Sequence, residues 1–275
     1  MIDVGIDPDV AAAFPDYRAL LVVAEGVGNG PSDDASDALL REAEGAYREA
    51  GGSDPTRSAA PDAPHSAAND APGAAAADAT RSAAPDAPRS AANDAPHSPL
   101  ARAADHPHIA AWRAAFSAFG AKPSRFPSSV EALLSRVLKG QDLPRVSRLV
   151  DLYNAISVRH VVPVGGEDLD RIEPPMRLVR ARGDEPFDLR ERDAVEHPRP
   201  GEVVWRDAVA VTCRRWNWRQ GRRTALTDST TRALFVFDRL EPMGIPELNA
   251  AAGELTARLE AWWPGCRVER TLLGE

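Results

Sequence analysis

The chain has 275 residues and a formal net charge of −8, with 41 acidic residues against 33 lysines and arginines. This length accommodates one large domain or two small ones. The acidic balance argues against a general binder of nucleic acids, although it is compatible with a local basic patch. The two cysteines, Cys213 and Cys266, lack metal-ligand spacing, so we expect no structural metal site.

Several other classes of protein are disfavoured by the motifs that the sequence lacks. It contains no P-loop, dinucleotide fingerprint, HExxH or GxSxG pattern, so we expect no cofactor. It also shows neither a signal peptide nor an apolar run of membrane-spanning length. These features predict a cytoplasmic protein with reduced thiols and with no membrane or DNA partner.

The first 50 residues alternate between strand and helix signals. Apolar runs predict strands over Met1–Ile6 and Ala19–Val27, with a short helical connection over Asp9–Phe14. Leucine, alanine and glutamate at helical spacing predict a helix over Ser36–Ala50, with Ser36 as its N-cap. We expect residues 1–50 to form the N-terminal part of the main domain.

The next segment changes character. Residues 57–72 and 81–96 carry the same sequence 24 positions apart, with His65 and Arg89 as the one difference. The repeat is built mainly from Ala, Pro, Ser, Asp and Asn, which provide no apolar side chain larger than alanine for a core. We therefore predict a disordered insertion over residues 51–105, removable with little effect on the remainder.

Residues 106–275 return to globular patterning and are expected to form the domain core. Periodic apolar stripes predict helices over His108–Phe119, Val130–Leu138 (capped by Ser128 or Ser129), Arg148–Val158 and Pro246–Trp262. Strands are predicted over Met176–Arg182, Glu202–Trp205 and Cys266–Leu272. Because strands and helices mix without strict alternation, we predict an α+β fold with a mixed β-sheet core and packed helices.

An arginine-rich stretch lies between two further apolar runs, Ala208–Cys213 and Ala233–Phe237. The pattern predicts a strand, a long polar loop, a short helix or turn, and a second strand. Five arginines fall within ten residues: Arg214, Arg215, Arg219, Arg222 and Arg223. Arginine forks interleaved with tryptophans suit an anionic, planar-faced partner such as an RNA end. The alternative is that these arginines solvate a sheet edge or stack on the tryptophans.

Within this stretch, Asn217 is a candidate site residue. If the segment is extended, alternation places Trp216 and Trp218 on one face and Asn217 on the other, at the rim of a cleft. Arg219 then shares the face of Asn217 and reaches a phosphate. The alternative is an asparagine that only satisfies backbone groups of the loop.

Other polar residues have a structural and a functional interpretation. Asn154 lies beside the buried stripe of its helix, where a surface or satisfied core amide is the simpler interpretation. The pair Gly165-Gly166 allows close approach of a ligand or forms a turn. Glu167 and Asp168 are expected to cap a short helix over Leu169–Ile172.

Two potential chemical groups remain. His160 has no partner in the sequence that would make it a base, so a surface histidine is favoured. Cys213 ends an apolar run and is expected to be a buried, inert thiol, although the adjacent Arg214 and Arg215 would lower its pKa if they face the sulfur.

The segments VDLYN, PVGGEDLD and CRRWNWRQ, which begin at Val150, Pro163 and Cys213, resemble the B3/B4 tRNA-binding and editing domain. That domain occurs in the beta chain of phenylalanyl-tRNA synthetase and in freestanding proteins, which this chain resembles more closely. The resemblance implies that the protein binds the acceptor end of tRNA or an aminoacyl-tRNA. It also implies an aminoacyl-tRNA deacylase that removes a misattached amino acid.

The resemblance also implies site residues. Asn154 matches the pocket asparagine of the family, preceded by Tyr153 where threonine is usual. The family's histidine falls on Gly165, and its pocket glutamate has no carboxylate counterpart over Trp216–Gly221. In the hydrolytic hypothesis the reaction uses the side chains of Asn154 and Asn217 and the backbone N–H groups of Gly165 and Gly166. The substrate then contacts Tyr153, Cys213, Arg214, Arg215, Trp216, Trp218 and Arg219, with the arginines on phosphates.

Two hypotheses of function therefore stay open. One is a freestanding editing enzyme, which lacks the parts of a synthetase needed to aminoacylate by itself. The other is a non-catalytic binding module for RNA or for a small amino-acid-like ligand, motivated by the missing histidine and glutamate. Turnover of an ester distinguishes the first from the second.

Overall fold

The computed structural model describes residues 2–50, 100–188 and 195–274. The helices are α1 (Pro8–Ala13), α2 (Asp34–Ala50), α3 (Pro107–Ala118), α4 (Ser129–Leu138), α5 (Arg148–His160) and α6 (Ile245–Trp262). The strands are β1 (Val4–Ile6), β2 (Arg18–Glu25), β3 (Val164–Asp168), β4 (Met176–Arg180), β5 (Phe187–Asp188), β6 (Val195–Glu196), β7 (Val203–Arg206), β8 (Val211–Arg214), β9 (Arg219–Gln220), β10 (Arg232–Arg239) and β11 (Arg267–Leu273).

Two sheets dominate the fold. The first is mixed and runs β1-β4-β7-β8-β9, with β1 parallel to β4 and the other pairs antiparallel. The second is antiparallel and runs β11-β2-β10-β3, so β3 is an edge strand. A separate two-stranded ribbon pairs β5 with β6. The α+β class with a mixed sheet and packed helices is confirmed.

The second sheet is buried on both faces, which explains the continuous apolar runs of its central strands. Alternate residues of β2 and β10 enter different cores. Leu20, Val22 and Phe235 belong to the core that includes residues of α2, α5 and α6. Leu21 and Val236 belong to the core shared with the first sheet and α3. The space between the two sheets is therefore a core in its own right.

Helix α5 is fixed to the rest of the fold by Asp151, which is fully buried. Its carboxylate accepts a hydrogen bond from the Ser36 hydroxyl (3.0 Å) and another from the Val146 backbone N–H (2.8 Å). The prediction that Ser36 caps α2 is wrong, because the helix begins at Asp34 and the Ser36 hydroxyl binds Asp151. This anchor sets the position of the following residues of α5.

Two other local predictions have different outcomes. Ser128 caps α4 as predicted, by accepting a hydrogen bond from the Glu131 N–H. The strand predicted over Ala208–Cys213 begins only at Val211. The reason is Asp207, whose carboxylate accepts hydrogen bonds from the backbone N–H groups of Val209 and Ala210. These bonds hold the residues before Val211 in a turn.

Most of the predicted insertion over residues 51–105 lies outside the described residues, which omit 51–99. Only residues 100–105 can be compared with the structure. Residues 103–105 form a short 3-10 helix, and Ala103 is buried in the helix-covered core. The packed part of the chain therefore resumes before the predicted boundary at residue 106. Among the described helices, none is both long and apolar enough to cross a bilayer.

Candidate functional site

A cavity of about 820 Å³ opens where the two sheets separate beside the edge strand β3. The second sheet lines it with Val164, Gly165, Glu167, Val236 and Asp238. The first sheet and the turn between β8 and β9 supply Met176, Trp205, Cys213, Trp216, Asn217, Trp218, Arg219 and Gln220. Helices α4 and α5 and the loop between them complete it with Ser129, Ala132, Leu133, Arg136, Gln141, Pro144, Arg145, Tyr153 and Asn154.

The floor of the cavity is built around Asp238, which is 3% exposed. Its carboxyl group accepts hydrogen bonds from the Tyr17 hydroxyl (2.6 Å) and from the Asn217 amide nitrogen (3.2 Å). Burial raises the pKa of Asp238 to about 7, while these two hydrogen bonds act in the opposite direction. Asp238 therefore titrates in the neutral range.

A second buried carboxyl group, Glu167, lies two residues from Gly165 on the same face of β3. It accepts a hydrogen bond from the Gln220 amide nitrogen (2.6 Å). Burial raises the pKa of Glu167 to about 8, so this group carries its proton at neutral pH. The prediction that Glu167 caps the following helix is wrong, because its side chain lines the cavity. Asp168 does cap that 3-10 helix, by accepting from the Asp170 N–H.

The wall formed by α5 supplies residues of the VDLYN motif. Asn154 is 8% exposed and lines the cavity. Within the described part of the chain, its side-chain amide has no hydrogen-bond partner, so the group is available to a ligand. Tyr153 also lines the cavity, and its ring packs on Phe235 with centroids 6.2 Å apart.

The two glycines of β3 have different environments. A side chain on Gly165 would extend into open space, whereas one on Gly166 would come within 2.8 Å of the Tyr153 ring. Of the two, Gly165 lines the cavity and Gly166 does not. Gly165 lies opposite Val236 in the pairing of β3 with β10. The Asp238 N–H donates to the Pro163 carbonyl, and hydrogen-bonded pairs alternate along antiparallel strands, so the Gly165 N–H points toward β10 and not into the cavity. The predicted use of the Gly165 N–H by a substrate does not fit this pairing.

The segment after β8 is a tight turn rather than an extended strand. Arg215 and Trp216 both have positive φ angles, 46° and 66°. Trp216 is fully buried, with its ring centroid 4.7 Å from that of Tyr17. Trp218 is only partly buried, and its ring packs on Phe126 with centroids 5.0 Å apart. The predicted alternation of the two tryptophans about Asn217 is wrong, although all three residues line the cavity.

The arginines of this turn are divided between the interior and the rim. Arg214 is buried and forms a two-pronged ion pair with Glu202, at 2.9 and 3.0 Å. Arg215 is also buried, and its guanidinium lies 3.6 Å from the centroid of the Phe126 ring. Neither lines the cavity, so we do not retain the predicted contact of these two arginines with phosphates. Arg219 does line it.

Cys213 lines the cavity near the two carboxyl groups of the floor. Burial raises the pKa of its thiol well above the usual value, and the nearby Glu167 and Asp238 raise it further. The predicted alternative of a lowered pKa is wrong, because Arg214 binds Glu202 instead of facing the sulfur. Cys213 is thus a poor nucleophile.

Two other expectations concern groups outside the floor. His160 binds Glu254 on α6 at 2.7 Å and does not line the cavity. No group of three or more His, Cys, Asp or Glu side chains suitable for a metal ion occurs among residues 2–50, 100–188 and 195–274. The polar groups of the cavity include carboxyl, amide, guanidinium and indole groups.

A comparison with protein families decides how the chain is classified. A family model described as the B3/4 domain matches residues 111–256, which is more than half of the sequence. The chain belongs to the B3/4 domain family. This match confirms the resemblance inferred from the sequence motifs. The matched range of the B3/4 domain includes α5, β3 and the turn after β8, and therefore much of the cavity wall.

Solved structures also match this B3/4 domain protein. One is the crystal structure of an N-terminal fragment of the phenylalanyl-tRNA synthetase beta-subunit from Pyrococcus horikoshii, at 13% identity and a TM-score of 0.33. The match covers 44% of this chain and 41% of that one, so the chain spans less than half of the fragment's length. No curated protein matches the sequence.

Two residues of the floor, Glu167 and Asp238, were not predicted as site residues, and neither was Tyr17, which donates to Asp238. Asp238 lies near the end of an apolar strand, and alternation along that strand places its side chain on the same face as Val236. An acidic residue on an otherwise apolar face is the feature of the sequence that could have indicated a site. Tyr17 carried no such signal, because its contact with Asp238 joins residues 221 positions apart.

Proposed function

We propose that this B3/4 domain protein binds the 3′ acceptor end of an aminoacyl-tRNA in the cavity and hydrolyses its ester bond. The observation that supports this function is a cavity with unused amide groups on two sides. Within the described residues, the Asn154 amide on α5 has no protein partner, and neither has the Asn217 side-chain oxygen. Amide groups in this position orient an ester carbonyl or a water molecule.

The rim of the cavity suits the nucleic acid. Arg136, Arg145 and Arg219 line the cavity together with the carboxyl groups of its floor. Arg136 is exposed, bonds the Asp142 carbonyl at 3.2 and 3.3 Å, and forms no ion pair with a described residue. Its charge is therefore available to a phosphate.

In the proposed reaction, water adds to the ester carbonyl and the bond to the ribose oxygen breaks. The products are the free amino acid and a tRNA that regains its terminal hydroxyl. Asn154 donates to the carbonyl oxygen as negative charge develops there, since its amide is the unengaged donor of the α5 wall. Asn217 holds the amino-acid part, because its side chain is fixed to Asp238 at the floor.

A panel of aminoacyl-tRNAs tests this function. The purified protein should hydrolyse at least one aminoacyl ester faster than the uncatalysed rate, and Asn154→Ala should lower that rate by about 10²-fold or more. Asn249→Ala is the matched control, because Asn249 is an exposed residue of α6 outside the cavity. An uncatalysed rate across the whole panel would contradict the hydrolytic function.

A second candidate is a binding module without turnover. It is favoured by the chemistry of the cavity wall. The described residues that line the cavity include no histidine to act as a base, and the pKa of the Cys213 thiol is raised, which makes it a poor nucleophile. This candidate requires that aminoacyl-tRNA or a small amino-acid-like ligand binds while every ester of the panel stays intact. Affinity that falls steeply with salt would identify RNA as the ligand, since phosphate contacts release counterions.

A further inference from the structure

The two carboxyl groups of the cavity floor differ from most other buried carboxylates of the protein. Arginine usually accompanies such groups here, as in the pairs Glu44–Arg145, Glu131–Arg113, Glu202–Arg214 and Asp207–Arg223. Asp151 instead accepts from a hydroxyl and a backbone N–H. In the described part of the chain, no cationic side chain forms an ion pair with Glu167 or Asp238. The floor therefore holds acidic groups without a cation.

Asn217 adds an independent sign that a ligand group belongs beside Asp238. The residue is 7% exposed, and its amide nitrogen donates to Asp238, which leaves the amide oxygen on the other side of the group. That oxygen is buried and has no hydrogen-bond partner among the described residues. Because an unpaired buried acceptor is costly, a hydrogen-bond donor from a ligand would complete the site.

We infer that the floor of the cavity binds a protonated primary amine at the end of an aliphatic chain, held by Asp238 and the Asn217 side-chain oxygen. An ammonium group supplies three donors and no acceptor, which matches a carboxylate and an unpaired amide oxygen on two residues that contact each other. The inference rests on the proposed function in one respect. The amine is the side-chain end of the aminoacyl group whose tRNA lies at the rim.

The walls between floor and rim suit an aliphatic stem. Leu133, Val164, Met176 and Val236 line the cavity along with the polar groups. A straight methylene chain makes apolar contact with such walls while its ammonium group reaches the floor. Arg136 and the acidic floor also match a ligand that is cationic at one end and anionic at the other.

The protonation of Asp238 makes proton release an expected consequence of amine binding. Burial raises the pKa of Asp238 to about 7, and the groups that face it are Tyr17, Trp205, Cys213 and Asn217, none of which is cationic. An ammonium group bound there stabilises the carboxylate form. Binding therefore displaces the proton of Asp238, and affinity for the amine rises as pH increases from about 6 to 8.

Amino-acid amides that share the α-amine and form length-matched pairs with and without a side-chain amine test the inference by calorimetry. L-Lysinamide and L-ornithinamide carry the amine, L-norleucinamide carries a methyl group, and 6-hydroxy-L-norleucinamide carries a neutral hydroxyl donor. At least one of the two compounds with a side-chain amine should bind about tenfold or more tighter than both compounds without one, with proton release detected from the buffer dependence of the heat. No binding, or a smaller preference for both amines, overturns the inference.

Variants locate the site. Asp238→Asn should reduce the preference for the amine to about twofold or less, while Asp184→Asn, whose side chain is 74% exposed, should keep it. Asn217→Ala keeps the inference testable if Asp238→Asn does not fold. It removes the unpaired side-chain oxygen beside Asp238, and the amine preference should fall. A preference that survives unchanged in every folded floor variant overturns the assignment.

The outcomes separate this inference from the proposed function. If free amines bind but tRNA does not, the amine site stands and the proposed function is wrong. If aminoacyl-tRNAs are bound or hydrolysed without regard to an amine on the side chain, and free amines do not bind, the proposed function stands and the inference is wrong.

Discussion

At the scale of single residues, Arg214 and Arg136 show how two arginines near one cavity acquire different environments. Arg214 is enclosed with Glu202, whereas Arg136 is exposed and lines the cavity. The local sequence does not distinguish them, because burial depends on residues distant in the chain. Glu202, the carboxylate that engages Arg214, lies on the loop before β7.

Replacement of the buried arginine should be costly for stability. Arg214→Ala leaves Glu202 buried without its main partner, and we expect a loss of about 3–5 kcal/mol in the free energy of unfolding, measured by urea denaturation. Arg136→Ala should change it by less than about 0.5 kcal/mol. Equal effects of the two changes would show that Arg214 is not held inside the fold.

The protonated state of Glu167 should appear in the pH dependence of stability. Burial raises its pKa from 4.5 to about 8, so the folded protein keeps a proton that the unfolded chain releases near pH 4.5. Wild-type stability should therefore fall relative to Glu167→Gln as pH rises from about 5 to 8, by up to about 1.4 kcal/mol per pH unit. Denaturation of both proteins at about pH 5, 6.5 and 8 measures the difference. A constant difference across this range would contradict a buried acid at this position.

At the scale of elements, the helices could be predicted from the sequence, and the site-forming turn could not. Predicted and observed bounds of α1 to α6 agree within about two residues, because the longer helices have apolar stripes at helical spacing. The two-residue strands β5, β6 and β9 are too short to produce a periodic signal. The turn after β8 places Arg215 and Trp216 in the left-handed region, which neither residue type indicates.

Strand β3 was also difficult to predict, since adjacent glycines are typical of turns. Its pairing with β10 overrides that preference, and the two glycines then face opposite sides of the sheet. One faces the cavity and the other packs on Tyr153. Replacement of the two glycines by larger residues should therefore change the free energy of unfolding by different amounts.

Matched substitutions in β3 test this placement. Gly165→Ala should change the free energy of unfolding by less than about 1 kcal/mol, because its methyl group extends into open space. Gly166→Ala should cost about 1–3 kcal/mol, because the methyl group meets the Tyr153 ring at 2.8 Å. Thermal and urea unfolding of the two variants provide the measurement. A larger loss for Gly165→Ala than for Gly166→Ala would reverse the assigned faces of the strand.

At the scale of the whole molecule, the candidate site is assembled from segments far apart in sequence. Asn154 from α5, Glu167 from β3, Asn217 from the turn and Asp238 from β10 line one space. Tyr17 from the N-terminal segment holds Asp238 through a hydrogen bond. The resemblance of the VDLYN motif to the family predicted Asn154 as a site residue. The acidic floor followed only from the packing of one sheet against the other.

The affinity of tRNA with and without its 3′ end tests the central claim most directly. Wild-type protein should bind intact tRNA about tenfold or more tighter than tRNA lacking the terminal CCA, measured by fluorescence anisotropy at fixed salt. Gly165→Leu, which fills the cavity beside Val236, should bind both tRNAs with the weaker affinity. Equal affinity of the wild type for the two tRNAs, or a Gly165→Leu variant that retains the full preference, would contradict the claim that the cavity receives the acceptor end.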